Sequence, residues 1–189
     1  MRRHFAAAVV SAGLALLAVP AFAHDHDVPA AGAGGSVRAD IQAQLDEAET
    51  KLAALAEAMP AEKYGWRPGE KVRSVGEVFM HVAGGNYFLA HLMGAPKAEG
   101  VDPASFDKDA NDKAKAKAAM KASFEYVRKY LAGLSDADLD KKMKVFDHDG
   151  SARQLALVLA THSHEHLGQA IAYARMNGVV PPWSQGASH

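Results

Sequence analysis

The chain has 189 residues, 21 of them basic and 22 acidic, a formal charge of −1 and no cysteine. That length suits one domain with a real core, and the balanced charge offers no basic excess for nucleic acid. The missing thiols exclude disulfides, cysteine nucleophiles, cysteine-held zinc and iron–sulfur clusters, so any metal must be held by His, Asp, Glu or backbone.

Arg2 and Arg3 precede an apolar run, Phe5 to Val19, that leads to Ala21-Phe22-Ala23. A basic start, a short apolar stretch and a small-x-small site make a secretory signal peptide over residues 1–23. The run is short for a spanning helix, so the expected product is periplasmic or secreted, with no stable membrane insertion after cleavage. Export would leave His24-Asp25-His26 as the new N-terminus. A free amine with a histidine two residues on can wrap Cu(II) or Ni(II) in a square of nitrogens, although a flexible tail is the simpler reading. Residues 24–36, rich in Gly and Ala, read as a flexible linker, and 37–185 as the folded domain.

Four helices follow in the pattern. The first runs from about Val37 to Ala58, with Ile41, Leu45, Ala48, Leu52, Leu55 and Met59 on one stripe, and stops at Met59-Pro60. The stretch from Ala61 to Arg73 holds Gly65, Pro68 and Gly69 and reads as a loop, with Tyr64 and Trp66 packing back onto the bundle end. Ser74 followed by Glu77 is a capping-box pattern, so a second helix starts there and runs to about Met93. His81 lies at the edge of its apolar face, one turn before Gly84-Gly85. Two glycines weaken a helix interior by about 1 kcal/mol each, which makes sense where another helix or a ligand approaches the backbone.

Residues 97–112 read as a long connection, and Lys113 to Leu134 as a third helix with Met120, Phe124, Val127, Tyr130 and Leu131 for packing. Its lysines, Lys113, Lys115, Lys117 and Lys121, read as a solvated face. The second long connection, 135–150, contains Asp149-Gly150, which suggests a tight turn and a small hairpin. The fourth helix runs from about Ser151 to Asn177-Gly178, and Pro181-Pro182-Trp183 forms a tail across a bundle end. The expectation is an all-α fold, a four-helix bundle with long inter-helix connections and one core.

The fourth helix carries His162, His164 and His166 within five positions. Residues four apart share a helix face. Leu155, Val158 and Leu159 continue at helical spacing into His162, His166 and Tyr173, which puts two imidazoles on the core-facing stripe. Imidazole suits zinc, nickel, copper and iron. Two ligands are too few, so a third is expected from another helix.

The order of motifs resembles the DinB-like (DinB/YfiT) superfamily. The resemblance rests on Tyr64-Gly65-Trp66-Arg67-Pro68, on Arg73-Ser74-Val75-Gly76-Glu77-Val78 leading to His81-Val82-Ala83, and on His162-x-x-x-His166-x-Gly168-Gln169 with Tyr173 and Arg175. It spans about Val37 to Trp183. It implies a four-helix bundle whose second helix gives one histidine and whose fourth gives two, so that His81, His162 and His166 are the metal ligands with coordination positions left open. Within the family the resemblance also points to thiol-dependent transferases and an isomerase. Departures are the extra His164 and Leu167, where an Arg is common.

Three neutral imidazoles and an open position make a Lewis-acid centre able to lower the pKa of water from about 15.7 to about 7. Zinc is the expected ion, then nickel, then iron. Glu165, Glu77 and Asp147 are the candidate general bases, although Glu77 reads better as a cap and Glu165 points off the ligand face. Gln169 is placed to hydrogen-bond a ligand, and Tyr173 to fill the core. His91, His148, His164 and His189 read as surface or tail residues. Two functions compete: a metal-dependent hydrolase or transferase acting on an unknown small molecule, and a non-catalytic periplasmic metal-binding or stress-related protein. The former needs an open coordination position and a pocket, the latter neither. A homodimer stays open.

Overall fold

The computed structural model describes residues 35–186. The signal peptide, most of the linker, the His24-Asp25-His26 terminus and His189 lie outside them. Four long helices form the bundle: α1 (Val37–Ala58), α2 (Val75–Leu92), α4 (Lys113–Ala132) and α6 (Ala152–Met176). Helix α1 packs on α4 and α6, and α2 packs on the same two, so α1 and α2 stand diagonally across the core. No helix among the described residues is long and apolar enough to cross a membrane.

The helix starts follow local chemistry. Ser36, Ser74, Asp112 and Ser151 each accept a hydrogen bond from a backbone N–H of the first turn they precede. Such caps are each worth about 1 kcal/mol. Ser74 and Glu77 form the reciprocal box, Ser74 N donating to Glu77 Oε2 at 2.7 Å. The predicted apolar stripes meet in one core that includes Leu45, Leu52, Leu55, Phe79, Phe124, Leu155 and Leu159, all 2% exposed or less. Tyr64 is fully buried and donates its hydroxyl to Ala56 O at 2.7 Å, which ties the first connection to α1.

The connections hold more structure than their composition suggests. Short helices α3 (Phe106–Asp109) and α5 (Asp136–Leu139) occupy two of them. Helix α4 stops at Ala132, two residues before the expected Leu134, because Gly133 takes the cap. The lysine run does more than face water. At the C-terminal end of α1, Lys113 Nζ donates to the carbonyls of Glu57 (2.6 Å) and the cap residue Met59 (3.0 Å), Lys117 pairs with Glu57, and Lys115 with Asp109 at 2.6 Å. Cations at a helix C-terminus are the favourable sign for its dipole.

The hairpin exists, but its turn lies elsewhere. Strands β1 (Lys142–Val145) and β2 (His148–Ser151) pair antiparallel with Val145 opposite His148, so Phe146-Asp147 makes the turn. Phe146 accepts φ +56 there. Gly150 is instead a strand residue: a Cβ on it would meet Gln154 Oε1 at 2.5 Å and Val145 Cγ2 at 2.6 Å. Its missing side chain admits Val145 and the first turn of α6, and the turn falls upstream. Pro182–Ser184 forms a single 3-10 turn against α1, where Lys51 Nζ lies 5.8 Å from the Trp183 ring centre.

Candidate metal centre

Helices α2 and α6 face each other, and their facing stripes bring His81, His162 and His166 together. The ring centres are 5.0 Å (His81–His162), 4.5 Å (His81–His166) and 4.6 Å (His162–His166) apart. One nitrogen from each ring lies within 4.8 Å of the others. Nε2 of His81 and Nε2 of His162 are 3.2 Å apart. Zinc–nitrogen bonds of about 2.05 Å in a tetrahedron put two ligand nitrogens roughly 3.3 Å apart, so this edge already has the required length. The three histidines are thus a group that can hold a metal ion.

Each ring is positioned differently. His166 is 8% exposed, and its Nδ1 donates to Gln169 Oε1 at 2.8 Å, while Gln169 Nε2 donates to the Tyr173 hydroxyl at 2.9 Å. Tyr173 in turn meets the Trp66 ring edge-on at 5.5 Å. With the proton on Nδ1, His166 keeps the Nε2 lone pair for a ligand, the usual division of labour in a metal-binding histidine. His162 has no such partner: its Nδ1 is buried and unpaired. Steric room sets its place instead. A Cβ on Gly85 would lie 2.4 Å from His162 Cε1, so the ring occupies space that only a glycine leaves. Gly84 needs no such explanation, since a Cβ there would meet only Phe106 Cδ2 at an ordinary 3.9 Å.

Burial, followed by the positive charge of Arg73 and the two neighbouring rings, pushes His81 down to about 4. Burial, His166 and Arg73 push His162 to about 4 as well, against the opposing pull of Glu165. Both rings are therefore neutral lone-pair donors at pH 7, as a metal requires. The unfolded chain protonates them near 6.5, whereas the folded chain holds them neutral down to about 4. Above 6.5 these rings contribute no pH dependence. As pH falls from 6.5 toward 4, the unfolded state takes protons that the folded state refuses, and the metal-free protein loses stability. Glu49, whose carboxyl burial raises, works in the opposite direction. Urea midpoints of the metal-free protein between pH 7.5 and 4.5, against a His81→Leu/His162→Leu variant, isolate the effect. The wild type should fall more steeply, and parallel profiles would refute it.

The proposed bases do not join the centre. Asp147 sits in the hairpin turn with its side chain 98% exposed, at the end of β2 away from the start of α6. His162 lies ten residues into α6 from Ala152, ~15 Å along the helix at 1.5 Å per residue. Glu165 is exposed. Glu77 has one carboxylate oxygen on Ser74 N and the other on Arg67 Nη2 at 2.8 Å. His91 is exposed and donates to Ala95 O, and His148 pairs with Asp147. His164, read as a surface residue, is half-buried, and its Nε2 donates to Gln44 O at 3.0 Å in an exposed bond that joins α6 to α1.

One feature next to Gln169 has no signature in the sequence. A pocket of about 500 Å³ is lined by Arg67, Lys71, Val72, Arg73, Glu77 and Gln169. Its basic residues lie in a Gly- and Pro-containing loop, where single charges carry no periodic signal.

The model of the DinB superfamily matches residues 44–170. The chain belongs to the DinB superfamily. Among solved structures it is similar to a DinB-like protein from Bacillus subtilis, at 22% identity and TM-score 0.59, over 74% of this chain and 92% of that one. It is also similar to a DinB-like protein from Bacillus cereus, at 15% identity and TM-score 0.62, over 75% and 93%. At those identities the likeness concerns the fold. No curated protein matches the chain. The DinB match takes in all three histidines and the Ser74 box, and its last residue is Ala170, next to Gln169.

Proposed function

We propose that His81, His162 and His166 bind one divalent cation, zinc ahead of nickel and iron, and that this DinB-family protein is a metal-dependent hydrolase or transferase. Its substrate is a small molecule met in the exported compartment that residues 1–23 address. The observation that carries the reading is the convergence of three imidazole nitrogens within 4.8 Å, with one edge already at 3.2 Å. Without a cation, the part-buried Nε2 atoms of His81 and His162 face each other at 3.2 Å and the buried His162 Nδ1 is unpaired. Buried unsatisfied polar groups cost about 1–3 kcal/mol.

A divalent ion at this position supplies Lewis acidity and acidifies water. The chain's own residues do the rest. Gln169 fixes the proton of His166 on Nδ1, Gly85 admits His162, and burial keeps His81 and His162 neutral. The adjoining pocket favours a catalyst over a carrier, which needs no room for a second molecule.

The test is metal content. Untagged protein, purified and analysed by plasma mass spectrometry, should carry about one equivalent of a single metal, as a three-histidine site would. His81→Ala and His166→Ala should lose it. A wild type that takes up neither zinc nor nickel on reconstitution, with no change in melting temperature, would overturn the reading.

A further inference from the structure

The loop between Tyr64 and Ser74 forms one wall of the pocket beside the histidines. It is held at both ends. Gly76 N donates to Tyr64 O, and Val75 N donates to Trp66 O, each at 2.9 Å. Arg67 crosses it, donating from Nη1 to Val72 O at 3.0 Å and from Nη2 to Glu77. Within this braced loop Lys71 has φ +60. A non-glycine residue in that region needs surrounding structure to hold it, and such residues gather at ligand sites.

The loop carries three cations, Arg67, Lys71 and Arg73, against one acid of its own, Glu70, and only Arg67 is held in an ion pair. Arg67 pairs with Glu77, whose second oxygen is taken by Ser74 N. Lys71 and Arg73 are exposed and form no ion pair among the described residues, although Glu77 lines the same pocket and feels the charge of Arg73. Two links join the pocket to the histidines. Gln169 lines it and also accepts from His166 Nδ1. Arg73 acts electrostatically on both His81 and His162.

We propose that Lys71 and Arg73 receive an oxyanion group of the substrate, carboxylate or phosphoryl, while another part of the same small molecule reaches the three-histidine centre. This rests on the metal reading above and narrows its substrate class to small anions. The guanidinium of Arg73 offers a planar fork of donors and Lys71 a mobile point charge, the pair of groups commonly used for oxyanions. The Arg67–Glu77 pair keeps the loop in place and is not the binding element.

The experiment uses Co(II)-loaded protein, whose visible absorption reports changes at the metal. Inorganic phosphate and succinate are titrated separately, which distinguishes phosphoryl from carboxylate recognition. At least one should bind the wild type. Arg73→Gln and Lys71→Gln should each weaken it by about tenfold to a hundredfold, the loss expected for one charged hydrogen bond. Lys129→Gln, on α4 diagonal to α6, makes the same charge change remotely and should leave binding unaltered. Normal Co(II) uptake with no anion response, or with equal affinity in wild type and both pocket variants, overturns the anion site alone. Failure to take up Co(II) overturns the metal reading and this inference with it.

Discussion

Gly76→Ala should abolish folding or cost the protein more than ~3 kcal/mol, the range reserved for severe core clashes. By propensity alone the change is favourable, since alanine exceeds glycine by about 1 kcal/mol inside a helix. Space reverses the sign. A Cβ at Gly76 would lie 1.7 Å from Ala110 O, 2.7 Å from Ala110 C and 3.1 Å from Tyr64 Cδ1. The first two are backbone atoms with no rotamer to change. Ala110 is itself buried, and Asp112 just beyond it caps α4. Moving Ala110 would therefore displace the start of that helix, and moving α2 would displace His81. Gly84→Ala is the control in the same helix. Its Cβ has ordinary clearance, so it should stabilise by about 1 kcal/mol. Urea midpoints followed by far-ultraviolet circular dichroism separate the two. A Gly76→Ala protein as stable as the wild type would mean that the α2–α3 contact is not made.

The same comparison explains what the sequence could and could not convey. Helical period and capping chemistry are local, so α1, α2 and α6 fall within a residue of their expected ends, and Ser74–Glu77 was legible as a box. His162 and His166 were legible because four residues make nearly one turn. Short α3 and α5 span four residues each and carry no period to read. Asp149-Gly150 looked like a turn because glycine has two uses, and local sequence cannot tell a positive φ from a close approach. In Gly150 the close approach won. The bond His164 makes was not legible for a related reason: its partner, Gln44 O, is 120 positions away. The charge of the pocket beside Gln169 depends on which loop cation hydrogen-bonds Glu77, a tertiary fact.

Gly85→Ala should leave the bundle folded and weaken metal binding by more than ~100-fold, beyond the 10–100-fold that losing an outer hydrogen-bond partner costs. Its Cβ would meet a side chain, with His162 Cε1 at 2.4 Å, Nδ1 at 3.0 Å and Nε2 at 3.1 Å. An imidazole can tilt where a backbone carbonyl cannot, so the added methyl group moves the ligand and spares the helix. Restoring ordinary contact requires the ring to retreat by about 1 Å. Metal–ligand distances tolerate only ~0.2 Å, so His162 would drop out of a site that has three protein donors. His162 is also the ring with no hydrogen bond on Nδ1 to hold it back in place. His166, fixed by Gln169, should not move. Competitive titration with a metallochromic chelator would read the affinity, and circular dichroism the fold. Retained folding with lost binding would tie the glycine to the metal rather than to the scaffold. Wild-type affinity in Gly85→Ala would show that the ion does not depend on His162 in this position, and Gly84→Ala, one residue away, should bind as the wild type does.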